Sequence, residues 1–411
     1  MKLKPGWRHV KLSDIAKIKS GSTPLRAEGE RYFSTAGTPW VKTLDLNNGE
    51  IISTDEKITD TALLETSCSV FPVGTVLVAM YGGFNQIGRT GLLTIPAAIN
   101  QALSGLILDR DKAEPAYILN YLNGNVKLWK KFAASSRKDP NITRDDVCGF
   151  PVLLPPLAEQ KKIAKILSTW DNAISVTEKL LANSQQQKKA LMQQLLTGKK
   201  RLLDENGVRF SGEWEVVRLK QLIHEEKKRN RDNHIQRVLS VTNHSGFVLP
   251  EEQFSKRVAS EDVSTYKIVK KNQYGYNPSR LNVGSFARLD NYDEGVLSPM
   301  YVVFSINHER LNSDYFLNWM SSNEAKQRIA GSTQGSVRDS VGFDALCSFS
   351  FSLPTLMEQQ KIAAVLSAAD AEMSMLEKKL ACLKEEKKAL MQQLLTGKRR
   401  VNVESEETVS A

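Results

Sequence analysis

The 411-residue sequence is poor in the side chains that most often build metal or redox sites. It has only four cysteines and five histidines. The cysteines, at Cys68, Cys148, Cys347 and Cys382, lie far apart, which excludes a zinc site of the CxxC type and is typical of reduced thiols in a reducing compartment. A metal site would therefore have to be assembled by the fold alone.

Long hydrophobic runs are also missing. No apolar segment approaches the roughly 20 residues that a membrane-spanning helix needs. The first twelve residues, MKLKPGWRHVKL, have basic character but no apolar stretch of the kind that marks a secreted chain. We therefore expect no membrane partner and a cytoplasmic location.

Catalytic motifs are absent as well. The sequence contains no GxxxxGK[ST] phosphate loop, no GxGxxG after a strand, no HExxH and no GxSxG. Asn277-Pro278-Ser279 is slightly similar to the Asn-Pro-Pro-aromatic loop of amino-methyltransferases, but the glycine-rich cofactor loop that should precede it is missing, so a turn is favoured. The sequence predicts no catalytic residues and no bound metal or cofactor.

The net charge of +10 is unevenly distributed. Residues 157–201 carry +6 and residues 356–400 carry +3, whereas residues 1–156 carry +4, residues 202–355 are neutral and residues 401–411 carry −3. Most of the positive excess therefore lies in two short segments. A basic chain suggests a polyanionic partner only weakly.

These two segments are copies of each other. At a constant offset of 199, residues 159–201 match residues 358–400 at 26 of 43 positions, and residues 188–199 are identical to residues 387–398. The period is far too long for a solenoid unit. It describes a chain of two halves, in which a long variable block is followed by a short, nearly identical one.

The short blocks have the pattern of long helices. Apolar residues recur with alternating spacings of four and three, which places them on one stripe and is typical of a coiled-coil seam. In the first copy the apolar seam residues are Ile163, Leu167, Trp170, Ile174, Leu181, Leu191 and Leu195. In the second copy they are Ile362, Leu366, Met373, Leu376, Leu380, Leu383, Leu390 and Leu394.

Proline and glycine limit each helix to roughly 40 residues. The segments LPPLAEQ and SLPTLMEQ precede them, and Gly198 and Gly397 follow them. Two helices of equal length and like pattern would most simply pack against each other, although each could instead pack on its own globular block. Lys188 and Lys387 fall on the stripes themselves, and we interpret them as markers of the helix register.

The long blocks are distantly related α+β domains of about 150 residues. Residues 7–12 match residues 214–219, and residues 117–122 match residues 315–320. Residues 75–80 and 301–305 have the pattern of strands, and residues 115–123 and 313–320 that of helices.

Several segments of the long blocks have the composition of loops that combine basic and amide side chains with glycine and aromatics. Arg, Asn and Gln can bond base edges bidentately, and Lys and Ser can bond phosphates. Ordinary solvated loops would have the same composition, and the residues alone favour neither alternative. The candidate DNA contacts are Lys19, Ser20, Thr23, Arg26, Asn85, Gln86, Arg89, Arg137, Lys138, Arg144, Lys228, Arg229, Arg280, Asn282, Arg288, Gln334 and Arg338.

The arrangement of the repeat resembles a known family. LPPLAEQKKIA and LPTLMEQQKIA open the two helices and KKALMQQLLTGK closes both. In this the whole chain is similar to the DNA specificity subunit of type I restriction-modification systems. The resemblance implies two α+β target recognition domains separated by two long helices that pair as an antiparallel, pseudo-twofold coiled coil.

The resemblance also implies a function without catalysis. Each recognition domain would read one half of a split target in double-stranded DNA, and the helices would set the gap and dock two methyltransferase subunits, with restriction subunits joining through the complex. This chain would bind no cofactor; S-adenosylmethionine, ATP and Mg would belong to the partner subunits. The implied segments are residues 1–155 and 206–354 for the recognition domains, residues 156–205 and 355–400 for the helical regions, and an acidic tail at residues 401–411, expected to be disordered.

Two other functions are weighed against this one. A coiled-coil scaffold whose globular blocks bind protein would ignore specific duplexes in a competition experiment. A fused methyltransferase or nuclease would show activity as an isolated chain, and the missing cofactor motifs oppose it. Because residues 1–156 and 202–355 together carry only +4, we also expect weak DNA binding by the isolated chain.

Overall fold

The computed structural model describes residues 4–134, 141–253, 262–333 and 340–402. The chain divides into two compact units: unit 1 is formed by Met1–Glu178 with Lys379–Ala411, and unit 2 by Lys179–Lys378. The division falls inside both long helices, so each unit contains a portion of each helix. The boundaries of the five segments that the resemblance implies, at residues 155, 205, 354 and 400, remain predictions.

Unit 1 begins with a globular domain of mixed strands and helices, which corresponds to the first of the two predicted recognition domains. Its strands are β1 (Arg8–Lys11), β2 (Ala16–Ser20), β3 (Phe33–Ser34), β4 (Thr38–Val41), β5 (Glu50–Ile51), β6 (Lys57–Ile58), β7 (Val76–Ala79), β8 (Thr90–Leu93), β9 (Ala98–Ile99), β10 (Leu103–Leu108) and β11 (Pro151–Leu154). Its short helices are α1 (Leu12–Ile15), α2 (Asp60–Glu65), α3 (Pro115–Gly124), α4 (Val126–Ala134) and α5 (Arg144–Gly149). The long helix α6 (Leu157–Leu195) follows.

A five-stranded sheet, in the order β2-β10-β7-β8-β5, forms the centre of this domain. Its inner strands read as continuous apolar runs, LSGLIL in β10 and VLVA in β7, because both of their faces are covered. A second sheet has the order β3-β6-β4-β9, and β1 pairs with β11. This last pair joins the first strand of the domain to the strand that leads into α6.

Unit 2 contains the globular domain that corresponds to the second predicted recognition domain. Its strands are β12 (Glu215–Arg218), β13 (Ile223–Glu225), β14 (Ser240–Thr242), β15 (Gly246–Val248), β16 (Lys267–Lys270), β17 (Tyr274–Tyr276), β18 (Phe286–Arg288), β19 (Glu294–Leu297), β20 (Val302–Ile306) and β21 (Ser350–Leu353). Its helices are α7 (Pro250–Gln253), α8 (Ser313–Met320), α9 (Asn323–Thr333) and α10 (Phe343–Ser348), followed by the long helix α11 (Leu356–Leu394). The main sheet has the order β13-β20-β17-β18, and β12 pairs with β21 as β1 pairs with β11 in unit 1.

Each long helix has 39 residues, close to the length that the sequence predicts. Every apolar seam residue of the prediction is buried or half-buried. In unit 1, Ile163 and Leu167 share one hydrophobic core with Leu394 and Leu395 and with the recognition domain. The first turns of α6 and the last turns of α11 therefore pack into the same core.

Unit 2 repeats this core with the roles of the helices exchanged. Leu195 and Leu196, at the end of α6, share a core with Ile362 and Leu366, at the start of α11. Burial of large aromatics completes both cores: the rings of Trp129 and Phe150 stack with centroids 3.9 Å apart in unit 1. The sequence leaves open whether the long helices pack on each other or on their globular blocks. Within each unit they do both, because the same core contains residues of both helices and of the globular domain.

Glycine is required where each long helix ends. Gly198 and Gly397 have φ angles of 69° and 67°, a left-handed conformation that side chains other than glycine rarely adopt. The backbone N–H groups of Lys200 and Arg399 then bond carbonyls of the last helical turn. After this reversal of the chain, Arg201 contacts the start of α11 and Arg400 contacts the start of α6.

Within the described ranges, the structure contains no helix with the length and apolar character needed to cross a membrane.

Candidate DNA-reading surfaces and helix anchors

A buried carboxylate fixes the start of α6 in unit 1. Glu159 is 1% exposed and accepts hydrogen bonds from Trp7 Nε1 at 3.0 Å and from Arg400 Nη2 at 2.7 Å. The hydrogen bond to Glu159 raises the pKa of the Arg400 guanidinium. The cluster joins the first strand region, the start of α6 and the segment after α11, through hydrogen bonds between residues 152 and 241 positions apart.

The same cluster occurs in unit 2, with its glutamate 199 positions higher and its arginine 199 positions lower in the sequence. Glu358 is 1% exposed and accepts from Trp214 Nε1 at 3.1 Å, and from Arg201 Nε and Nη2 at 2.6 and 2.7 Å. A carboxylate this deeply buried is stable as a charge only when its hydrogen-bond partners are present. We call the two clusters, Trp7-Glu159-Arg400 and Trp214-Glu358-Arg201, the helix anchors.

The glutamine that follows each anchoring glutamate forms hydrogen bonds with backbone N–H and C=O groups of nearby loops. Gln160 is fully buried; it accepts from the Glu114 N–H and donates to the carbonyls of Lys112 and Pro155. Gln359 makes the equivalent bonds to Asn312, Arg310 and Pro354. The Glu-Gln pair of each helix start is thus explained by packing against its recognition domain and not by chemistry at a catalytic site.

The two seam lysines bind aspartates of the facing helix. Lys387 Nζ lies 2.5 Å from Asp171 Oδ1 in unit 1, and Lys188 Nζ lies 2.5 Å from Asp370 Oδ1 in unit 2. In unit 1 a further pair joins Lys384 to Glu178 at 2.8 Å. As the residue number rises on α6 it falls on α11, so the two helix portions within unit 1 run antiparallel.

In unit 1 some candidate DNA contacts lie close together, and others are already bound by protein side chains. Arg144 donates to the Ile18 carbonyl at 3.1 Å, which brings it beside the exposed Lys19 and Ser20 on β2. Arg26 is held by Glu56 at 2.5 Å and lies over the rings of Phe33 and Trp40. In this structure Arg26 therefore packs against the β3-β6-β4-β9 sheet.

The turn after β7 contains three more candidates. Asn85 is exposed, and Gln86 and Arg89 are half-buried. The Gln86 side-chain oxygen is buried without a hydrogen-bond partner in the structure. Thr23 lies elsewhere and donates to the Gln101 side chain. Arg137 and Lys138 lie outside the described residues.

In unit 2, Arg280 and Asn282 are exposed on one 3-10 helix, Pro278–Val283. Asn277, the residue before this helix, accepts a hydrogen bond from the Ser279 N–H, a local contact of the kind that forms a turn. Lys228 and Arg229 are exposed, and Arg229 donates to the Thr265 carbonyl at 3.4 Å. Gln334 and Arg338 lie outside the described residues.

Arg288 is the candidate most strongly held by its neighbours. Its guanidinium contacts Asp290 at 2.6 Å and Asp314 at 2.7 Å, and its side chain is 17% exposed. Burial opposes its charge, but hydrogen bonds from Arg288 to the two aspartates outweigh burial and raise its pKa. Arg288 therefore stabilises its own domain.

The prediction that all these segments are loops is wrong at several candidates. Lys19 and Ser20 belong to β2, Arg288 to β18 and Arg144 to α5. Arg26 belongs to the 3-10 helix Arg26–Arg31, and Arg280 and Asn282 belong to the 3-10 helix Pro278–Val283. The pairing of β2 with β10 overrides a local composition of polar and glycine residues. Among the aromatic side chains of these segments, Tyr81 and Phe84 are exposed, whereas Tyr276 is fully buried.

The helix anchors were not among the predicted site residues. A signal was available, because Glu159, Gln160 and Arg201 recur as Glu358, Gln359 and Arg400, and Trp7 recurs as Trp214. Their contacts join residues more than 140 positions apart, and such contacts leave no local pattern.

The described residues contain no group of three or more His, Cys, Asp and Glu side chains that could hold a metal ion. Two α+β domains, each joined to portions of both long helices by an anchor with a buried glutamate, define a protein with a duplicated architecture.

Residues 4–183 and 211–385 both match the family described as the type I restriction modification DNA specificity domain. The two matches cover most of the chain, and the protein belongs to this family.

Relatives of similar length carry the same description. The type I restriction enzyme MjaVIII specificity subunit of Methanocaldococcus jannaschii is 24% identical over 426 residues, which cover 96% of this chain and 93% of the relative. A putative MjaX specificity subunit of the same organism is 26% identical over 355 residues, covering 80% of this chain and 79% of the relative. The chain thus belongs with the non-catalytic DNA recognition subunits of type I restriction-modification systems.

Solved structures show the same fold. The crystal structure of a type I S subunit from M. genitalium matches with a TM-score of 0.58 at 12% identity, covering 96% of this chain and 98% of that chain. A chain from a structure on complex assembly and conformational transition of the type I R-M system matches with a TM-score of 0.57 at 17% identity, covering 96% and 99%.

Proposed function

We propose that this protein reads a split DNA target, one half with each recognition domain, and that its two long helices set the gap between the halves. The duplication of the family domain supports two reading events by one chain. The anchors and helix ends are nearly identical in the two units, whereas the candidate reading segments differ. Identical parts are suited to a shared architecture, and different parts to two different sequences.

The exposed candidates carry the proposed base and phosphate contacts. Lys19, Asn85 and Lys228 are exposed, and so are Arg280 and Asn282. Arg and Asn at such positions can form bidentate bonds to guanine and adenine edges, and Lys bonds phosphates. Arg26 and Arg288, which are held by carboxylates, are proposed to shape these surfaces and to contact DNA only after exchanging those partners.

The helices are proposed to act as an antiparallel coiled coil of fixed register. The ion pairs within each unit support this pairing, since Lys387 with Asp171 and Lys188 with Asp370 occupy equivalent seam positions. Base pairs follow one another at about 3.4 Å along B-DNA, so a rigid spacer of fixed length selects one gap. The domain boundaries at residues 155, 205, 354 and 400 are part of this proposal.

Partner subunits are proposed to supply the catalysis. Two methyltransferase subunits would dock on this chain, and restriction subunits would join through the complex. S-adenosylmethionine, ATP and Mg would be bound by those partners, and the complex would act on DNA in the cytoplasm. The family membership of the chain supports these assignments.

The observation that carries the proposal is the pair of equivalent anchors, each of which fixes a different recognition domain to the same helix pair. The test is genome-wide mapping of methylated adenines in host cells with this gene present and deleted. We expect deletion to remove one bipartite motif with a constant gap. An unchanged set of methylated motifs in a host that expresses this chain with its methyltransferase subunit would contradict the proposal.

A further inference from the structure

Each unit has one turn that joins two antiparallel neighbouring strands of its main sheet and carries candidate DNA contacts. In unit 1 this turn lies between β7 and β8 and covers residues 80–89. In unit 2 it lies between β17 and β18 and covers residues 277–285. We call these two segments the hairpin turns.

Backbone contacts hold the hairpin turn of unit 1 in one conformation. The Gly88 N–H donates to the Ala79 carbonyl at 3.0 Å, and the Ile87 N–H donates to the Gly83 carbonyl at 3.0 Å. Ile87 is buried, and Gly88 has a φ angle of 77° and lies against Trp129. The base of the turn is therefore part of the domain, and only its tip reaches solvent.

The hairpin turn of unit 2 is fixed in a similar way. The Gly284 N–H donates to the Leu281 carbonyl and the Ser285 N–H to the Arg280 carbonyl, both at 3.0 Å. The Ser285 hydroxyl donates to the Val241 carbonyl at 2.9 Å. Leu281 and Ser285 are buried, so this turn is also anchored from below.

Each fixed turn presents an exposed apolar side chain directly beside an exposed asparagine. In unit 1 Phe84, which is 48% exposed, precedes Asn85, and in unit 2 Val283, which is 59% exposed, follows Asn282. A single exposed apolar side chain is common on a protein surface. Here the same combination recurs at the same place in both domains although the two turn sequences differ, which indicates a kind of ligand that both turns have in common.

The edge of an A·T base pair in the major groove combines these two chemistries. Adenine offers the N6 donor and N7 acceptor that asparagine bonds bidentately, and thymine offers an apolar 5-methyl group. A protein partner would need a wider apolar area, because specific protein interfaces bury about 800 Å2 on each side around an apolar centre. The neighbours of Phe84 and Val283 at the tips are polar or glycine, so a contact the size of a methyl group fits better.

We propose that Phe84 and Val283 are specificity-determining residues, each of which contacts the 5-methyl group of a thymine, one in each half of the target. This inference rests on the proposed function and names a chemical feature of the sequence that each domain reads. Burial of one methyl group changes an equilibrium constant roughly fourfold. Each domain should therefore prefer thymine over uracil at one position by about that factor.

The test replaces each thymine of the mapped target, one at a time, by uracil, which keeps the base pairing and lacks the methyl group. Fluorescence anisotropy with competitor duplexes measures the Kd of the complex between this chain and its methyltransferase subunits. The variants are Phe84→Ala and Val283→Ala, and each serves as the matched control for the other. Phe84→Leu is a conservative variant that keeps an apolar side chain.

We expect one uracil in each half to weaken binding by the wild-type complex roughly fourfold. In Phe84→Ala the uracil penalty should disappear in one half and persist in the other, and in Val283→Ala the two halves should exchange roles. Phe84→Leu should keep both penalties. Thermal melts should show unchanged stability for all three variants, because both side chains are exposed.

Other outcomes overturn the inference. Specific binding by wild type that tolerates uracil at every thymine would show that no methyl group is read, although the proposed function would survive. A uracil penalty that persists in both alanine variants would come from the shape of the DNA and not from these side chains. If Phe84→Ala reduces the number of bound methyltransferase subunits and leaves the uracil penalties unchanged, Phe84 belongs to a protein interface. Equal affinity of the wild-type complex for target and scrambled duplexes would contradict the proposed function itself.

Discussion

At the scale of single residues, the buried glutamates of the helix anchors have the greatest structural consequence. Glu159 and Glu358 are each 1% exposed, and each depends on one arginine and one tryptophan for its hydrogen bonds. Removing one partner of a buried pair costs more than the pair contributes, because a desolvated charge is left behind. Exposed pairs in the same unit contribute little.

Arg201→Ala should therefore destabilise unit 2 by about 2–4 kcal/mol, since Glu358 would keep only its bond to Trp214. Denaturant unfolding followed by tryptophan fluorescence measures the loss. The matched control is Arg310→Ala, which breaks the exposed pair with Glu215 and should cost less than about 1 kcal/mol. Equal losses for the two variants would show that the anchor is not the stabilising element.

Glu56 makes the stability of unit 1 depend on pH. Hydrogen bonds from Arg26 and Lys42 lower the pKa of its carboxyl below the ordinary value of 4.5. The unfolded chain then binds more protons than the folded one, so this contribution is fully present above pH 4.5 and is lost as pH falls through the lowered pKa. We expect Glu56→Gln to lose less stability than wild type on acidification, in thermal melts recorded from pH 6 to below pH 4. Parallel pH curves for the two proteins would exclude this linkage.

At the scale of the elements, the sequence predicts the long helices better than the recognition domains. Helix α8 spans the predicted residues 313–320, and each long helix has close to the predicted length, because an apolar stripe and glycine at the end are local signals. Two strands were not predicted from the sequence. The strand that carries Lys19 pairs with β10, which lies far along the chain. The strand that carries Arg288 pairs with β17, which has too few residues to show an alternating pattern. The anchors were missed for the same reason of sequence distance.

The seam lysines should determine the helix register. Replacing Lys188 and Lys387 by leucine removes the ion pairs with Asp370 and Asp171 and makes the stripe uniformly apolar. A single polar seam residue specifies register at some cost in stability. We therefore expect the double variant to be equally or more stable, and to methylate targets with mixed gap lengths when adenine methylation is mapped.

The control for this prediction replaces two exposed lysines outside the seam, Lys179 and Lys378, by leucine, and should keep a single gap. A single, unchanged gap in the Lys188→Leu/Lys387→Leu variant would show that the apolar seam alone defines the register.

At the scale of the whole molecule, the charge distribution limits binding by the chain alone. The recognition blocks carry little net charge, and Arg26 and Arg288 are already paired with carboxylates. Affinity for DNA comes largely from neutralised phosphates and released counterions. The recognition blocks therefore have little net positive charge with which to hold the duplex.

We expect the purified chain to bind its target duplex weakly at about 150 mM salt, and the complex with methyltransferase subunits to bind it tightly, at the nanomolar affinities usual for specific sites. Fluorescence anisotropy with a labelled duplex over a salt series measures both. A scrambled duplex is the control. Nanomolar, site-specific binding by the isolated chain would contradict this prediction.

Each recognition domain is proposed to read one half of the target, while the helix pair sets the gap. The most direct measurement replaces residues 1–155 by the first recognition domain of a specificity subunit with a different motif, and maps methylated adenines in cells that express the chimaera with its methyltransferase subunit. We predict that one half of the motif changes while the other half and the gap stay the same. A change in both halves, or in the gap, would contradict the account.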